Sequence, residues 1–286
     1  IDDNKIMPII PHSHPTNSFR PKFTPEDVLN SIRKVKSSST LDPEGFCTYF
    51  LKQIQHNIIH PLSKIFEISY QKGVLPTQWL EAVVIPIHKK GLRSNVENYR
   101  PISLCSFIGK FMESIINLSI TSHLTKRDLL NNQQFGFQKN KSCALQLIDC
   151  INKWTKSLDS KKTVDIVYID FQKAFDSVVH SKLIKKLENY SFSRPMLNWI
   201  KNFLLNRTQR IKINNVTSST SIVRSGVPQG SVLGPTLFLL YINDLVDVIQ
   251  FSDIRLFADD LNIFNTSENH EYLQTDLNNL NLWANT

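Results

Sequence analysis

Two adjacent carboxylates, Asp259 and Asp260, stand between two short apolar runs, 254–257 and 261–264. That pattern predicts two strands with the acids on the turn that joins them. Neighbouring anions repel, so a pair fixed at a strand end invites a divalent cation. Read alone, such a pair is usually only a solvated surface turn, where aspartate is common. A third carboxylate, Asp170, ends the run VDIVYI at 164–169, which has the composition and length of a buried strand. If the two strand regions neighbour one another in one sheet, three carboxylates come together. They could then hold two divalent ions a few ångströms apart, which activates an attacking hydroxyl and stabilises a leaving pyrophosphate during in-line displacement.

The surrounding elements must bring these residues into place. After Asp170, FQKAFD at 171–176 turns into an expected helix whose apolar positions Val178, Val179, Leu183, Ile184 and Leu187 recur at helical spacing. Asp176 offers that helix a cap. Between the acidic segments lies GVPQGSVLGP at 226–235, followed by an expected helix through Leu245. Its glycines allow close approach of backbone to a ligand, Pro228 fixes the turn, and Gln229 presents an amide donor and acceptor. A tight turn capping a core helix would use the same residues.

Upstream, Thr24-Pro25-Glu26-Asp27 predicts a capped helix start. A second helix is expected over 57–71, ending at Gly73, before a strand at 82–87. Further helices are expected over 104–124 and 143–158, and a hairpin joins 209–213 to 221–224 around Asn214-Asn215. Residues 1–23 hold Pro8, Pro11, Pro15 and Pro21 without hydrophobic period and read as a linker. The mixed order of elements predicts an α+β architecture.

With these segments in order, the chain resembles the reverse transcriptases of jockey-like non-LTR (LINE-type) retrotransposons. DFQKAFD at 170–176, GVPQGSVLGP at 226–235 and FADD at 257–260 match the family's central palm motifs. WLEAVVIPIHKKG at 79–91, NYRPISL at 98–104 and QFGF at 134–137 resemble its fingers motifs. The resemblance implies a right-hand polymerase, with fingers over 24–163, the family's own domain beginning near residue 70, and a palm with an antiparallel sheet over 164–286. Asp170, Asp259 and Asp260 would be the catalytic, metal-binding carboxylates, with Asp260 the least direct ligand, and magnesium the ion, replaceable by manganese.

The resemblance further implies that Phe175 is a sugar gate whose ring would clash with a ribose 2′-hydroxyl. Gln229 and Gly230 would meet the incoming nucleotide, and Lys89 or Lys90 with Arg100 would hold its triphosphate. A triphosphate calls for such charge-assisted donors, although a basic pair at 89–90 also suits a solvated hairpin tip. The implied reaction is RNA-templated DNA synthesis, in which a DNA primer's 3′-hydroxyl attacks a deoxynucleoside triphosphate. Copying would extend to DNA templates, and a nicking endonuclease is expected elsewhere in the full-length protein. Departures from the family pattern fall at Asp42 and Glu44, at Gln138 where arginine is usual, and at Cys143.

Composition agrees. The net charge of +8 is uneven: all but one of the 33 Lys and Arg residues precede Gly226, whereas eight of the 25 acidic residues follow it. The basic part suits a polyanion. The four cysteines form no Cys-x-x-Cys pair, which argues against a zinc ribbon and fits reduced thiols. No segment is apolar enough for a membrane span, and nothing fixes the compartment between nucleus and cytoplasm. An RNA-dependent RNA polymerase is the nearest enzymatic rival, but such enzymes carry an acid where Phe175 stands. A catalytically idle remnant that only binds nucleic acid is the other alternative. The family continues past the position of Thr286 into a primer grip and thumb, so residues 1–286 alone are expected to polymerise weakly or not at all.

Overall fold

A computed structural model of the chain describes residues 20–285; most of the expected linker, residues 1–19, lies outside the described residues. In chain order the helices are α1 (Pro25–Lys34), α2 (Thr48–Gln53), α3 (Gln55–Lys72), α4 (Thr77–Leu80), α5 (Phe107–Lys126), α6 (Cys143–Asp159), α7 (His180–Glu188), α8 (Arg194–Leu204), α9 (Gly234–Ile242) and α10 (Glu271–Asn285). The strands are β1 (Glu81–His88), β2 (Tyr99–Leu104), β3 (Asp165–Asp170), β4 (Thr208–Ile213), β5 (Val216–Thr217), β6 (Ser221–Ile222), β7 (Asp253–Phe257) and β8 (Asp260–Asn265). The fold is α+β with mainly antiparallel pairing, as the order of elements predicts.

The described residues divide into two compact units, each built from two stretches of chain. One comprises residues 127–174 and 238–285, the other residues 20–126 and 175–237. The first is organised on a three-stranded antiparallel sheet in the order β3-β8-β7. Its centre strand β8 buries every residue after Asp260. Helix α6 is pinned to β7 where Arg255, almost fully buried, donates to Asp149 at 2.5 Å and Lys153 pairs with Asp253. Trp154 meets Phe264 edge-on at 5.7 Å, which seats the same helix on the sheet. Asp276 on α10 is fully buried and accepts from the backbone N–H groups of Gln250, Phe251 and Ser252, tying down the loop that leads into β7.

The second unit carries the sheet β2-β1-β4-β5, with β6 also on β4. Strand β1 pairs antiparallel with β2 and parallel with β4. Helix α1 starts with the expected cap, a reciprocal box in which Thr24 accepts from Asp27 N–H and Asp27 accepts from Thr24 N–H. Helix α3 stops at Gly73, whose φ of 64° is the left-handed conformation that glycine supplies freely. Phe66, Tyr70, Phe111, Ile116, Trp199 and Phe203 make its core, and Trp199 Nε1 donates to Ser69 Oγ.

Two local expectations need correction, and one strand was not expected. The run ending at Asp170 is an edge strand rather than a buried one, with Tyr168 70% exposed, because only β8 flanks it. Tyr99–Leu104 is a strand that its proline disguises. The helix after Asp170 starts only at His180, and Asp176 does not cap it: the N-cap is Val179, without a side-chain bond. The backbone before it is bonded elsewhere, since Phe175 C=O accepts from Val227 N–H and Val178 C=O from Gly226 N–H.

Candidate functional site

Strands β7 and β8 are joined by the two-residue turn Ala258-Asp259, with Phe257 paired to Asp260. Ala258 holds φ at 56°, a conformation that costs an L residue about 1–2 kcal/mol. The register of β3 on β8 sets Asp170 directly opposite Asp260. Opposed residues of antiparallel strands project to one face with Cβ atoms about 5 Å apart. The two acids are exposed, and among the described residues neither side chain has a hydrogen-bond or ion-pair partner. Asp259 is half-buried in the turn beside them. The structure thus brings Asp170 beside Asp260 in one sheet and places Asp259 next in the chain.

Among the described residues no three His, Cys, Asp or Glu side chains converge into a ready cage for a metal ion. A pair of unpartnered carboxylates with an acidic neighbour nonetheless suits a hard divalent cation. Magnesium in particular is held by one or two carboxylates together with waters and substrate phosphates, rather than by an all-protein cage.

Sequence reasoning missed the part played by Gln134. This side chain, 5% exposed, accepts with Oε1 from Ala258 N–H at 2.9 Å and Gly136 N–H at 2.7 Å, while Nε2 donates to Ala258 C=O at 3.4 Å. The flanking backbone runs along β7: Phe135 N–H donates to Leu256 C=O at 2.7 Å, and Leu256 N–H to Gln133 C=O at 2.9 Å. Gly136 lies so near Ala258 that an added Cβ would overlap its backbone nitrogen. The only signal in the sequence is an amide embedded in QFGF.

The second unit holds the other expected residues. Gln229 Nε2 donates to Asp176 Oδ1 at 3.0 Å, and Gln229 C=O accepts from Ser103 N–H at 2.8 Å. Gly230 adopts φ of 121° against the Ser103 carbonyl, which leaves no space for a side chain. His180, buried, lies 2.8 Å from the Gly226 carbonyl. The far end of this turn is held by Glu113, whose Oε2 accepts from Val232 and Leu233 N–H at 2.7 and 3.2 Å. Burial pushes the Glu113 carboxyl up, against the pull of the Arg207 guanidinium and of those two N–H groups.

Phe175 is half-buried. Lys89 and Lys90 are exposed just past the end of β1, where Lys89 N–H donates to Asn98 C=O, and Arg100 is exposed on β2 opposite Ile87. Asp42, off the family pattern, organises its turn: Oδ1 accepts from Glu44 and Phe46 N–H, and Oδ2 from Phe107 N–H at the start of α5.

A family model described as reverse transcriptase (RNA-dependent DNA polymerase) matches residues 87–286. The chain is 32% identical over 221 residues to a probable RNA-directed DNA polymerase from transposon BS of Drosophila melanogaster, covering 77% of this chain and 24% of that protein. It is 30% identical over 256 residues to the RNA-directed DNA polymerase from mobile element jockey of the same fly, covering 86% and 28%. It is 25% identical over 185 residues to a retrovirus-related Pol polyprotein from the type-1 retrotransposable element R2 of Popillia japonica, covering 64% and 26%. The chain therefore spans about a quarter of the length of these relatives.

Proposed function

The chain belongs to the reverse transcriptase (RNA-dependent DNA polymerase) family and is of the LINE type, and on that premise we propose that it carries the nucleotidyl-transfer centre of an RNA-directed DNA polymerase. The observation that supports this most is the register that sets Asp170 opposite Asp260 at the end of β3, beside Asp259. Asp170, Asp259 and Asp260 would hold magnesium or manganese, which when bound supplies Lewis-acid stabilisation of the attacking and leaving oxygens. The protein's own residues do the rest. Lys89, Lys90 and Arg100 bind the triphosphate as charge-assisted donors. Gln229 and Gly230 contact the incoming nucleotide, with the Gln229 amide held in one orientation by Asp176. Phe175 excludes a ribose 2′-hydroxyl and so selects deoxynucleotides.

In this reading residues 24–163 supply the fingers motifs and residues 164–286 the palm motifs. That division follows motif order along the chain, whereas the two compact units follow packing. The substrates are an RNA template, a DNA primer and deoxynucleoside triphosphates, and an endonuclease in the full-length protein provides the primer end. No helix among the described residues is long and apolar enough to cross a membrane. The test is extension of a DNA primer on an RNA template with magnesium. In the full-length protein the wild type extends it, and Asp259→Ala lowers the rate by at least about 100-fold, the scale of losing one charge-stabilising group. Extension that survives Asp259→Ala refutes the assignment.

A further inference from the structure

We infer that Gln134 is a positioning residue for the aspartate turn, fixing the geometry in which Asp259 and Asp260 present their carboxylates; the inference rests on the metal role proposed above. The turn has two residues, and its first, Ala258, is an L residue at φ of 56°. Such a conformation persists only where the surroundings determine it. Here one buried amide grips both polar groups of the Ala258 backbone, accepting from its N–H and donating to its carbonyl. A glutamine can do both at once, whereas a glutamate only accepts and an apolar side chain does neither.

The grip is anchored at its own base. Gln134 is paired to Leu256 in parallel register, so the segment that carries the amide is laid against the strand that leads into the turn. Gly136 N–H donates to the same Oε1, and the absence of a Cβ there lets the segment close on Ala258. Between this clamp and Asp259 there is one peptide bond. A change in the clamp therefore reaches the carboxylates through the turn dihedrals, without any contact between Gln134 and a ligand. A purely structural role, in which the amide only satisfies buried backbone groups, would cost stability and leave the metal affinity of the folded protein unchanged.

The two roles separate in a binding measurement that needs no turnover. Manganese binding to the purified protein, without nucleotide or nucleic acid, is followed by the electron paramagnetic resonance signal of the free ion. Wild type, Asp259→Ala, Gln134→Met, Ala258→Gly and the double variant Gln134→Met with Ala258→Gly are compared, with thermal melting as the check on folding. Gln134→Met is expected to weaken manganese binding about tenfold and to raise the magnesium midpoint of primer extension by a similar factor. Affinity for an RNA–DNA hybrid stays within about twofold.

In the double variant, glycine adopts the turn dihedral unaided, so binding recovers at least threefold over Gln134→Met. This variant also carries the test if the single substitution is too unstable to assay: affinity far below that of wild type and Ala258→Gly alike overturns the inference. Wild-type affinity in folded Gln134→Met, with binding abolished in Asp259→Ala, overturns the inference alone. Wild-type binding no stronger than that of Asp259→Ala overturns the metal role and the inference with it.

Discussion

Replacing Asp260 by Asn should make the metal-free protein more stable and weaken its hold on magnesium. The register places Asp170 and Asp260 opposite each other on one face, exposed and without a counter-charge among the described residues. At about 5 Å in a medium near the dielectric constant of water, two unit charges repel by about 0.8 kcal/mol. Exposure keeps the estimate at that limit. For a chain of this size, 1 kcal/mol moves the melting temperature by about 2–4 °C, so Asp260→Asn should raise Tm by about 2 °C in EDTA at low salt.

The gain should shrink in about 0.5 M salt, where the screening length falls below the charge separation. Magnesium should reverse the order, because an ion held by the proposed carboxylates would stabilise the wild type by binding its folded form and would have less to hold in the variant. Differential scanning calorimetry in the three conditions checks this, with Asp170→Asn as the matching control from the other strand. A lower Tm for Asp260→Asn in EDTA would refute the reasoning, since it would mean that the carboxylate makes a favourable contact rather than an unrelieved repulsion.

Other outcomes follow from the same structure. Phe175→Val should admit ribonucleotides in primer extension, and unchanged sugar discrimination would refute the gate. Asp276→Ala should cost about 3–5 kcal/mol, because three backbone N–H groups lose a charged acceptor; a denaturant melt showing less than about 1 kcal/mol would contradict it. Glu113 binds more protons folded than unfolded, because burial raises its pKa. Its contribution is therefore fully present below the ordinary value of 4.5 and is lost as pH rises through the folded value. The Tm of wild type minus that of Glu113→Gln should fall as pH is raised from 4.5, and a pH-independent difference would count against the burial argument.

Local chemistry made much of the fold readable from sequence. The box at Thr24 and the stop at Gly73 are decided within a few residues, and both helix ends fall where expected. What escaped was decided by distant partners. Pro101 argues against a strand at Tyr99–Leu104, yet β2 lies at the sheet edge and pairs only with β1, where a missing N–H is tolerated. The β-branching of 165–170 announces a strand but not its edge position, since that depends on which strand pairs with it. Asp176 looks like a helix cap locally, but the helix starts only at His180, and the carboxylate accepts from Gln229, 53 residues away.

The three acids stand out in the sequence by type and by their places at strand ends; the face they share does not, and it is the core that sets it. On β8 the side chains of Asp260, Asn262 and Phe264 share one face. Phe264 is buried against Trp154 of α6, and Asn262 lies 3.8 Å from Cys150 of the same helix. That packing fixes which way the strand faces, and Asp170 follows because it is paired to Asp260, as Tyr168 is to Asn262 and Ile166 to Phe264. A slip of one residue would move Phe264 and the carboxylate together to the opposite face, away from Trp154 of α6. The apolar end of the strand thus holds the acidic end in register, against the repulsion that the acids alone would impose.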